Sequence, residues 1–184
     1  MVNQQVGVKV ERYRAGEEAT SFEPGDFILA HRHHLIAGLI SLAQKRRFRG
    51  ADAVYAHWSH SAVIVEKDGT LVESELWGVR RNPISRYKRD EYHLVRLGAG
   101  FSPEDRERAV AFANGQVGQG FGFLDMFGLS MYLLFGWPLR LSRSGHEICS
   151  GLVVRALQAG GRLKQLDPLL TLPADLAKLF DVRP

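Results

Sequence analysis

The pattern of apolar and polar positions predicts strands in three parts of this chain. The apolar run in PGDFILAH, residues 24–31, follows a turn and indicates a short buried strand. The stretch HSAVIVEKDGTLVESELWGV, residues 60–79, predicts a hairpin, because its Asp-Gly pair suits the positive φ angles of a tight turn. A further strand is predicted for EYHLVRL, residues 91–97.

Helical spacing of apolar residues predicts the remaining elements. HHLIAGLISLAQKRRFR, residues 33–49, places its apolar side chains on one helical face. In SPEDRERAVAFANG, Ser102 can cap the helix and Pro103 suits its first turn. A third helix, predicted over 148–159, ends at two glycines, and TLPADLAKLF closes the chain with a short fourth. Strands followed by helices predict an α+β fold.

Length and composition indicate one domain. The chain has 184 residues, of which 45% are hydrophobic, enough for one full core. We expect a single domain over 1–184, with a polar lead-in at 1–23 and a hydrophobic insertion or lid at 116–142. The polar N-terminus lacks the apolar segment of a signal peptide, which predicts a cytoplasmic protein or one delivered without a signal peptide, as for a phage protein or an injected effector.

Two further features concern membranes and nucleic acid. The longest apolar stretch, residues 120–139, is interrupted by Asp125 and several glycines, so we expect no transmembrane segment. Its part at 121–137 could instead contact a membrane surface beside basic residues. The net charge is +4, with basic runs at 44–49, 78–89 and 139–143. No aromatic-interleaved motif accompanies these runs, which disfavours nucleic-acid binding and favours solvated surfaces.

The only cysteine of the chain, Cys149, falls at the predicted start of the third helix. Unpaired backbone amides and the helix dipole stabilise a thiolate there, so Cys149 is a candidate nucleophile. The alternative is a small buried core residue, the usual environment of a free cysteine. A single cysteine forms no intrachain disulfide, which makes reducing surroundings the simpler expectation.

A nucleophilic cysteine needs a histidine base, and the chain contains seven histidines. His60 opens a predicted strand, from whose end it could reach a helix N-terminus, while His57 and His146 are competitors. The HRHH cluster at 31–34 superficially suggests a metal site. No cysteine joins it, and three histidines within four residues rarely share a tetrahedral site, so we predict neither metal nor cofactor.

A third group should orient the imidazole. Glu73 and Glu75 share the sheet face of His60, and an ideal two-residue turn would place Glu75 nearer. Both could equally be solvent-facing acids of a half-exposed hairpin. The side chains of Tyr55, Trp58, Trp77 and Ser150 are candidates for substrate binding, with core packing as the alternative for the aromatic ones.

Four segments resemble a known family when they are taken together: PGDFILA, WSHSAVIVEKDGTLVES, ICSGLVVRAL and LPADLAKL. They resemble the circularly permuted branch of the NlpC-type papain-like cysteine hydrolases, the YiiX- and YaeF-like group, a distant relative of lecithin retinol acyltransferase. The resemblance covers about 24–95 and 145–180. It implies a permuted papain-like fold, in which an antiparallel sheet packs against the cysteine helix. It also implies Cys149 as nucleophile, His60 as base and Glu73, rather than Glu75, as the orienting residue.

The resemblance implies acyl transfer through a thioester. The first functional hypothesis is a thiol hydrolase that cleaves an amide bond in a peptide or murein fragment. The second is an acyltransferase or lipase that acts on an acyl-lipid, suggested by the aromatic stretch at 121–137. The third is a non-catalytic binding or structural protein that keeps the fold.

Overall fold

The computed structural model describes residues 7–32, 44–75, 77–121, 146–147 and 149–184. These residues form a six-stranded antiparallel sheet and three α-helices, which confirms the predicted α+β class. Most of the helix predicted over 33–49 lies outside the described residues, although 44–47 are helical. Of the predicted insertion at 116–142, only 116–121 are described.

The described strands are β1 (Lys9–Tyr13), β2 (Phe27–His31), β3 (His60–Ile64), β4 (Thr70–Glu75), β5 (Gly78–Pro83), β6 (Glu91–Arg96), β7 (Gly120–Phe121) and β8 (His146–Glu147). The sheet has the strand order β1-β6-β2-β3-β4-β5, and every neighbouring pair is antiparallel. A separate parallel pair joins β7 to β8. Strand β1 lies in the stretch that sequence analysis treated only as a polar lead-in, and it forms the edge of the sheet beside β6.

The three α-helices begin close to their predicted positions. They are α1 (Pro103–Gly115), α2 (Cys149–Ala159) and α3 (Pro173–Leu179), and short 3-10 helices span Gly50–His57 and Ile84–Tyr87. The predicted cap of α1 is confirmed: the Asp105 N–H donates to Ser102 Oγ, and the Ser102 N–H donates back to the Asp105 carboxylate, both at 3.2 Å. No described helix has the length and apolar character needed to cross a membrane.

Each face of the sheet buries its own apolar cluster. The first face carries Leu29, Val63 and Val72, which pack with Leu152 and Val153 of α2. The opposite face carries Ile28, Ala62 and Leu71 and is covered by side chains from Tyr87 and the chain before β2. Because side chains alternate along β3, His60 lies on the face of Ala62, away from α2. The sheet thus separates the cysteine helix from the His60 face except at the strand ends.

The β3–β4 hairpin differs from the simple two-residue turn considered for the sequence. Val63 pairs with Val72 and Ile64 with Leu71, and the Val65 N–H donates to the Thr70 carbonyl at 2.8 Å. The connection therefore contains the four residues 66–69 instead of two. This shifts β4 by two positions relative to β3, so that the register, if continued, would place Glu73 opposite Ala62 and Glu75 opposite His60.

Gly69 ends this connection with φ +87°. A Cβ there would lie 2.7 Å from side-chain atoms of both Ile84 and Phe22. The turn therefore requires glycine both for its backbone conformation and for the close packing of the chain that covers the second face.

Candidate active site

Cys149 is the first residue of α2 and is buried, with 6% of its surface exposed. Helix α2 packs over β3 on the first face of the sheet, which holds the start of the helix beside the His60 end of that strand. The backbone N–H groups of Ser61 and Ser150 donate toward the sulfur, and His60 forms a side-chain hydrogen bond with it. The thiol therefore faces two backbone donors and an imidazole.

These donors favour the thiolate. Burial alone would raise the pKa of the Cys149 thiol, but the positive charge and hydrogen bond of His60, together with the two backbone N–H groups, outweigh burial and lower it. A sulfur with a lowered pKa is a stronger candidate nucleophile than an ordinary buried cysteine.

His60 connects the thiol to a carboxylate. Its Nε2 lies 2.6 Å from Glu73 Oε2, which leaves Nδ1 for the hydrogen bond with Cys149. Burial opposes protonation of the ring, but the Cys149 thiolate and the Glu73 carboxylate more than compensate and raise the pKa of His60 to about 10. The favoured state is therefore a thiolate–imidazolium pair with a carboxylate behind it.

Glu73 is fully buried and surrounded by hydrogen-bond donors. Tyr87 donates its hydroxyl proton to Oε2, the oxygen that also faces His60, and Asn82 Nδ2 donates to Oε1 at 2.8 Å. Burial would raise the pKa of Glu73, but the hydrogen bonds from His60, Tyr87 and Asn82 and the charge of His60 lower it to about 2. Glu73 thus remains a carboxylate despite its burial.

Two arginines form an outer layer around the carboxylates. Arg32 Nη1 lies 3.8 Å from Glu73 Oε2 and 3.3 Å from Glu75 Oε1, while its Nε lies 3.6 Å from an oxygen of Asp90. Arg86 Nη1 lies 3.6 Å from Glu73 Oε1, and Arg86 also donates to both oxygens of Glu75. Glu75, the competing candidate, therefore binds the two arginines. Among the described residues, it forms no hydrogen bond with His60.

An opening in the sheet allows the thiol and imidazole to meet. Registered pairing between β3 and β4 is confined to Val63 with Val72 and Ile64 with Leu71, although both strands continue toward His60 and Glu73. In this unpaired part, the Ser61 N–H faces the cysteine sulfur. The side chains on the two faces of the sheet can contact each other there.

The competing histidines have other surroundings. His57 Nε2 lies 2.9 Å from Glu91 Oε2, and its ring stacks on that of His31 with the centroids 4.1 Å apart. His146 belongs to β8, whose side chains lie outside the description, as do His33 and His34 of the HRHH stretch. Within the described ranges, no group of three or more histidine, cysteine or acidic side chains is arranged to hold a metal ion.

Three of the four predicted substrate-binding side chains form hydrogen bonds with the C-terminal part of the chain. Trp58 is fully buried and donates its indole N–H to the Val182 carbonyl at 2.8 Å. The hydroxyl of Tyr55 donates to Asp181, and that of Ser150 donates to the Thr171 carbonyl at 2.6 Å. Each polar group is bound to the C-terminal part of the chain, which favours packing, the alternative given for the aromatic side chains, and substrate binding by these three residues stays a prediction. The Ser150 backbone, rather than its side chain, is what faces the thiol.

Trp77 has the opposite environment. It follows β4 in the turn to β5 and is 77% exposed, unlike the other tryptophan side chain in the described residues, Trp58. Because β3 and β4 are antiparallel, this turn lies at the end of the sheet that carries His60. Trp77 therefore stays a candidate for substrate contact.

The residues that surround Glu73 were not predicted from the sequence. Tyr87, Asn82 and Arg86 belong to the run GVRRNPISRYKR, which was interpreted as a solvated basic surface, and Arg32 was seen only as part of HRHH. Their pairing with Glu73 depends on how β5 and the following 3-10 helix return over β4. A tyrosine and an asparagine within an otherwise basic run were the only local sign of a buried polar contact.

The arrangement combines a thiol, an imidazole and a carboxylate in a single hydrogen-bonded series. No family model matches this chain, and no curated protein matches it. The chemistry of the site therefore rests on its own geometry.

Proposed function

We propose that this protein is a thiol hydrolase that cleaves an amide bond through a covalent acyl-enzyme, with Cys149, His60 and Glu73 as its catalytic groups. The observation that carries the proposal is the series from the Cys149 sulfur to His60 and from His60 Nε2 to the buried Glu73 carboxylate, 2.6 Å away. A core cysteine needs no partner of this kind, whereas an activated nucleophile requires both a base and a group that orients it.

Acylation begins with attack of the Cys149 thiolate on the substrate carbonyl carbon, which forms a carbon–sulfur bond and a negatively charged oxygen. The first N–H groups of α2 have no acceptor within the helix, so the Cys149 amide can stabilise that oxygen. His60, held by Glu73, transfers its Nδ1 proton to the leaving amine as the carbon–nitrogen bond breaks. The products are a free amine and a thioester on Cys149.

Deacylation restores the thiolate. His60 accepts a proton from water as the water oxygen attacks the thioester carbonyl, and the carbon–sulfur bond then breaks. The thiolate and the imidazolium form again, and a carboxylic acid leaves. In an acyltransferase, an alcohol or amine would replace water in the same step.

The permuted papain-like fold is part of this proposal. An antiparallel sheet that packs against a helix beginning at the cysteine supports it, as does the chain order His60, Glu73, Cys149. Because the catalytic roles follow from mutual geometry rather than from position in the sequence, this order is compatible with the thiol mechanism.

The proposed substrate is a peptide or murein fragment, with Trp77 contacting it at the rim. The acyl-lipid alternative depends on 121–137, of which only Phe121 is within the described residues. Vesicle flotation separates the two substrates: binding that is lost when Phe127 and Leu133 are replaced by Asp would favour the lipid.

The test is the pH dependence of Cys149 alkylation by iodoacetamide in the wild type, in His60→Ala and in His57→Ala. We expect a wild-type midpoint well below the free-thiol value of about 8.5, and a clear upward shift in His60→Ala. His57→Ala is the matched control, because it removes a neighbouring histidine that binds Glu91 rather than the thiol. Its midpoint should remain at the wild-type value.

An ordinary wild-type midpoint that is indifferent to His60 would refute the proposal and make Cys149 a core residue. If the midpoint is low, incubation with peptide amides and with acyl esters follows. A mass increase on Cys149 that equals the acyl group would identify the thioester.

A further inference from the structure

We propose that Tyr87 is a positioning residue that limits the basicity of Glu73, so that His60 retains a proton it can still release to the leaving group. This inference rests on the proposed function and deepens it. It assigns a role to a side chain that contacts neither the thiol nor the substrate.

The geometry that carries the inference is the sharing of one oxygen. Glu73 Oε2 lies 2.6 Å from His60 Nε2 and also accepts the hydroxyl proton of Tyr87. His60 and Tyr87 therefore both form a hydrogen bond with the same negatively charged oxygen. A carboxylate oxygen that already accepts one hydrogen bond is a weaker acceptor for the next donor, so Tyr87 weakens the hold of Glu73 on the imidazolium.

Tyr87 is fixed for this role by its surroundings. It is fully buried, it belongs to the apolar cluster on the second face, and the Arg32 guanidinium lies 5.1 Å from its ring centroid. Burial and the neighbouring Glu73 carboxylate raise the pKa of Tyr87 well above its ordinary value. The hydroxyl therefore keeps its proton and acts only as a donor to Glu73.

Tyr87→Phe removes only this hydroxyl and leaves the other charged and polar groups around Glu73 chemically unaltered. They come from four parts of the chain, namely the residue after β2, strand β4, strand β5, and the 3-10 helix at Ile84–Tyr87 with the residues that follow it. They are Arg32, Glu75, Asn82, Arg86 and, through Arg32, Asp90.

A very strong hydrogen bond from the His60 imidazolium to Glu73 would slow proton transfer to the leaving amine. The imidazolium must give its proton to the leaving amine, and an imidazole with a very high pKa is a weak acid. Without the Tyr87 donor, Glu73 becomes more basic and the pKa of His60 rises.

The experiment is a titration of His60 by NMR in protein labelled at the histidine Cε1, with the His60 signal identified by its loss in His60→Ala. We expect Tyr87→Phe to raise the pKa of His60 by about half to one pH unit, part of what a hydrogen bond to a charged group is worth. Tyr92→Phe is the matched control. Tyr92 is buried in the same cluster, but its hydroxyl accepts the Ala19 N–H at 2.9 Å and lies outside the catalytic series.

A second experiment should shift the pKa of His60 in the opposite direction, and it leaves every hydroxyl in place. Incorporation of 3-fluorotyrosine makes the phenol a stronger donor, so the pKa of His60 should fall. This experiment remains informative even if Tyr87→Phe does not fold.

A His60 pKa that is unchanged in Tyr87→Phe, or changes as much in Tyr92→Phe, would overturn the inference, as would no response to fluorination. Its failure is distinct from failure of the proposed function. A wild-type thiol with an ordinary midpoint refutes the hydrolase, whereas a low midpoint with a His60 indifferent to Tyr87 refutes only the role of Tyr87.

Discussion

Replacing Glu73 with glutamine removes the buried charge at the end of the Cys149–His60–Glu73 series and nearly preserves the side-chain shape. Glu73 faces His60, Tyr87 and Asn82 as a carboxylate, and Arg32 and Arg86 lie within 4 Å of it. Glutamine keeps an acceptor oxygen but has no charge. We therefore expect Glu73→Gln to destabilise the protein at neutral pH, and by an amount that depends on pH.

The magnitude follows from the pKa of Glu73, which is about 2 in the folded protein against an ordinary 4.5. A difference of about 2.5 pH units corresponds to about 3 kcal/mol of stability in favour of the ionised form. Because the folded pKa is the lower one, this contribution is complete above pH 4.5 and is lost as the pH falls toward 2. We expect the loss in Glu73→Gln to be about 3 kcal/mol at pH 7 and about 1 kcal/mol at pH 3.

The contribution of His60 to stability depends on pH in the opposite direction. Its pKa is raised from 6.5 to about 10, so its contribution is complete below pH 6.5 and disappears as the pH rises through 10. Both values describe largely the same ion pair, and their contributions are therefore not added.

The assay is urea denaturation of the wild type and Glu73→Gln from pH 7 down to pH 3. Glu75→Gln is the matched control, because Glu75 lies on the same strand face and binds the same two arginines but is partly exposed. We expect a smaller loss at pH 7 in the control. If Glu73→Gln lost the same stability at pH 3 as at pH 7, shape or hydrogen bonding rather than charge would explain the loss, and the reasoning would be refuted.

Two further predictions concern side chains that were candidates for substrate binding. Ser150→Ala should destabilise the protein by about 1–3 kcal/mol in urea denaturation, because the buried Thr171 carbonyl loses its donor, while the alkylation midpoint of Cys149 stays unchanged. An altered midpoint would show that the hydroxyl also acts on the thiol. Trp58→Phe should lower the stability by about 1–3 kcal/mol through loss of its bond to Val182, whereas Trp77→Phe should change it by less than about 0.5 kcal/mol. Equal effects of the two tryptophan changes would contradict the assignment of one to the core and the other to the surface.

Residue patterns along the chain were sufficient to predict the helices and the strand near the thiol. The start of α2 at Cys149, the capped α1 and the strand that begins at His60 all follow from local spacing and end residues. Strand β1 was missed, because its sequence KVERY has few apolar residues and it lies at the sheet edge beside β6. Edge strands need less apolar surface than central ones, so periodicity detects them poorly.

The choice between Glu73 and Glu75 could not be made from residue pattern alone. The Asp-Gly pair suggested a two-residue turn, yet the observed register, continued past Val63 and Val72, would still place Glu75 opposite His60 and Glu73 opposite Ala62. Glu73 contacts the imidazole where the regular pairing of β3 and β4 has ended, and residue pattern does not predict that end. Close packing of Gly69 against Phe22 and Ile84, which are distant in the sequence, accompanies the longer connection. The resemblance indicated Glu73, the carboxylate that lies beside His60. The partners of Glu73 from β5 and beyond required the three-dimensional structure.

The separation of Cys149 from His60 along the chain has a consequence for incompletely folded protein. The lowered thiol pKa arises only where the start of α2 meets the open end of the β3–β4 hairpin. A chain in which α2 has not docked carries an ordinary, mostly protonated thiol at neutral pH. The thiolate is thus restricted to the completed fold, and newly made or transiently unfolded molecules carry a mostly protonated sulfur.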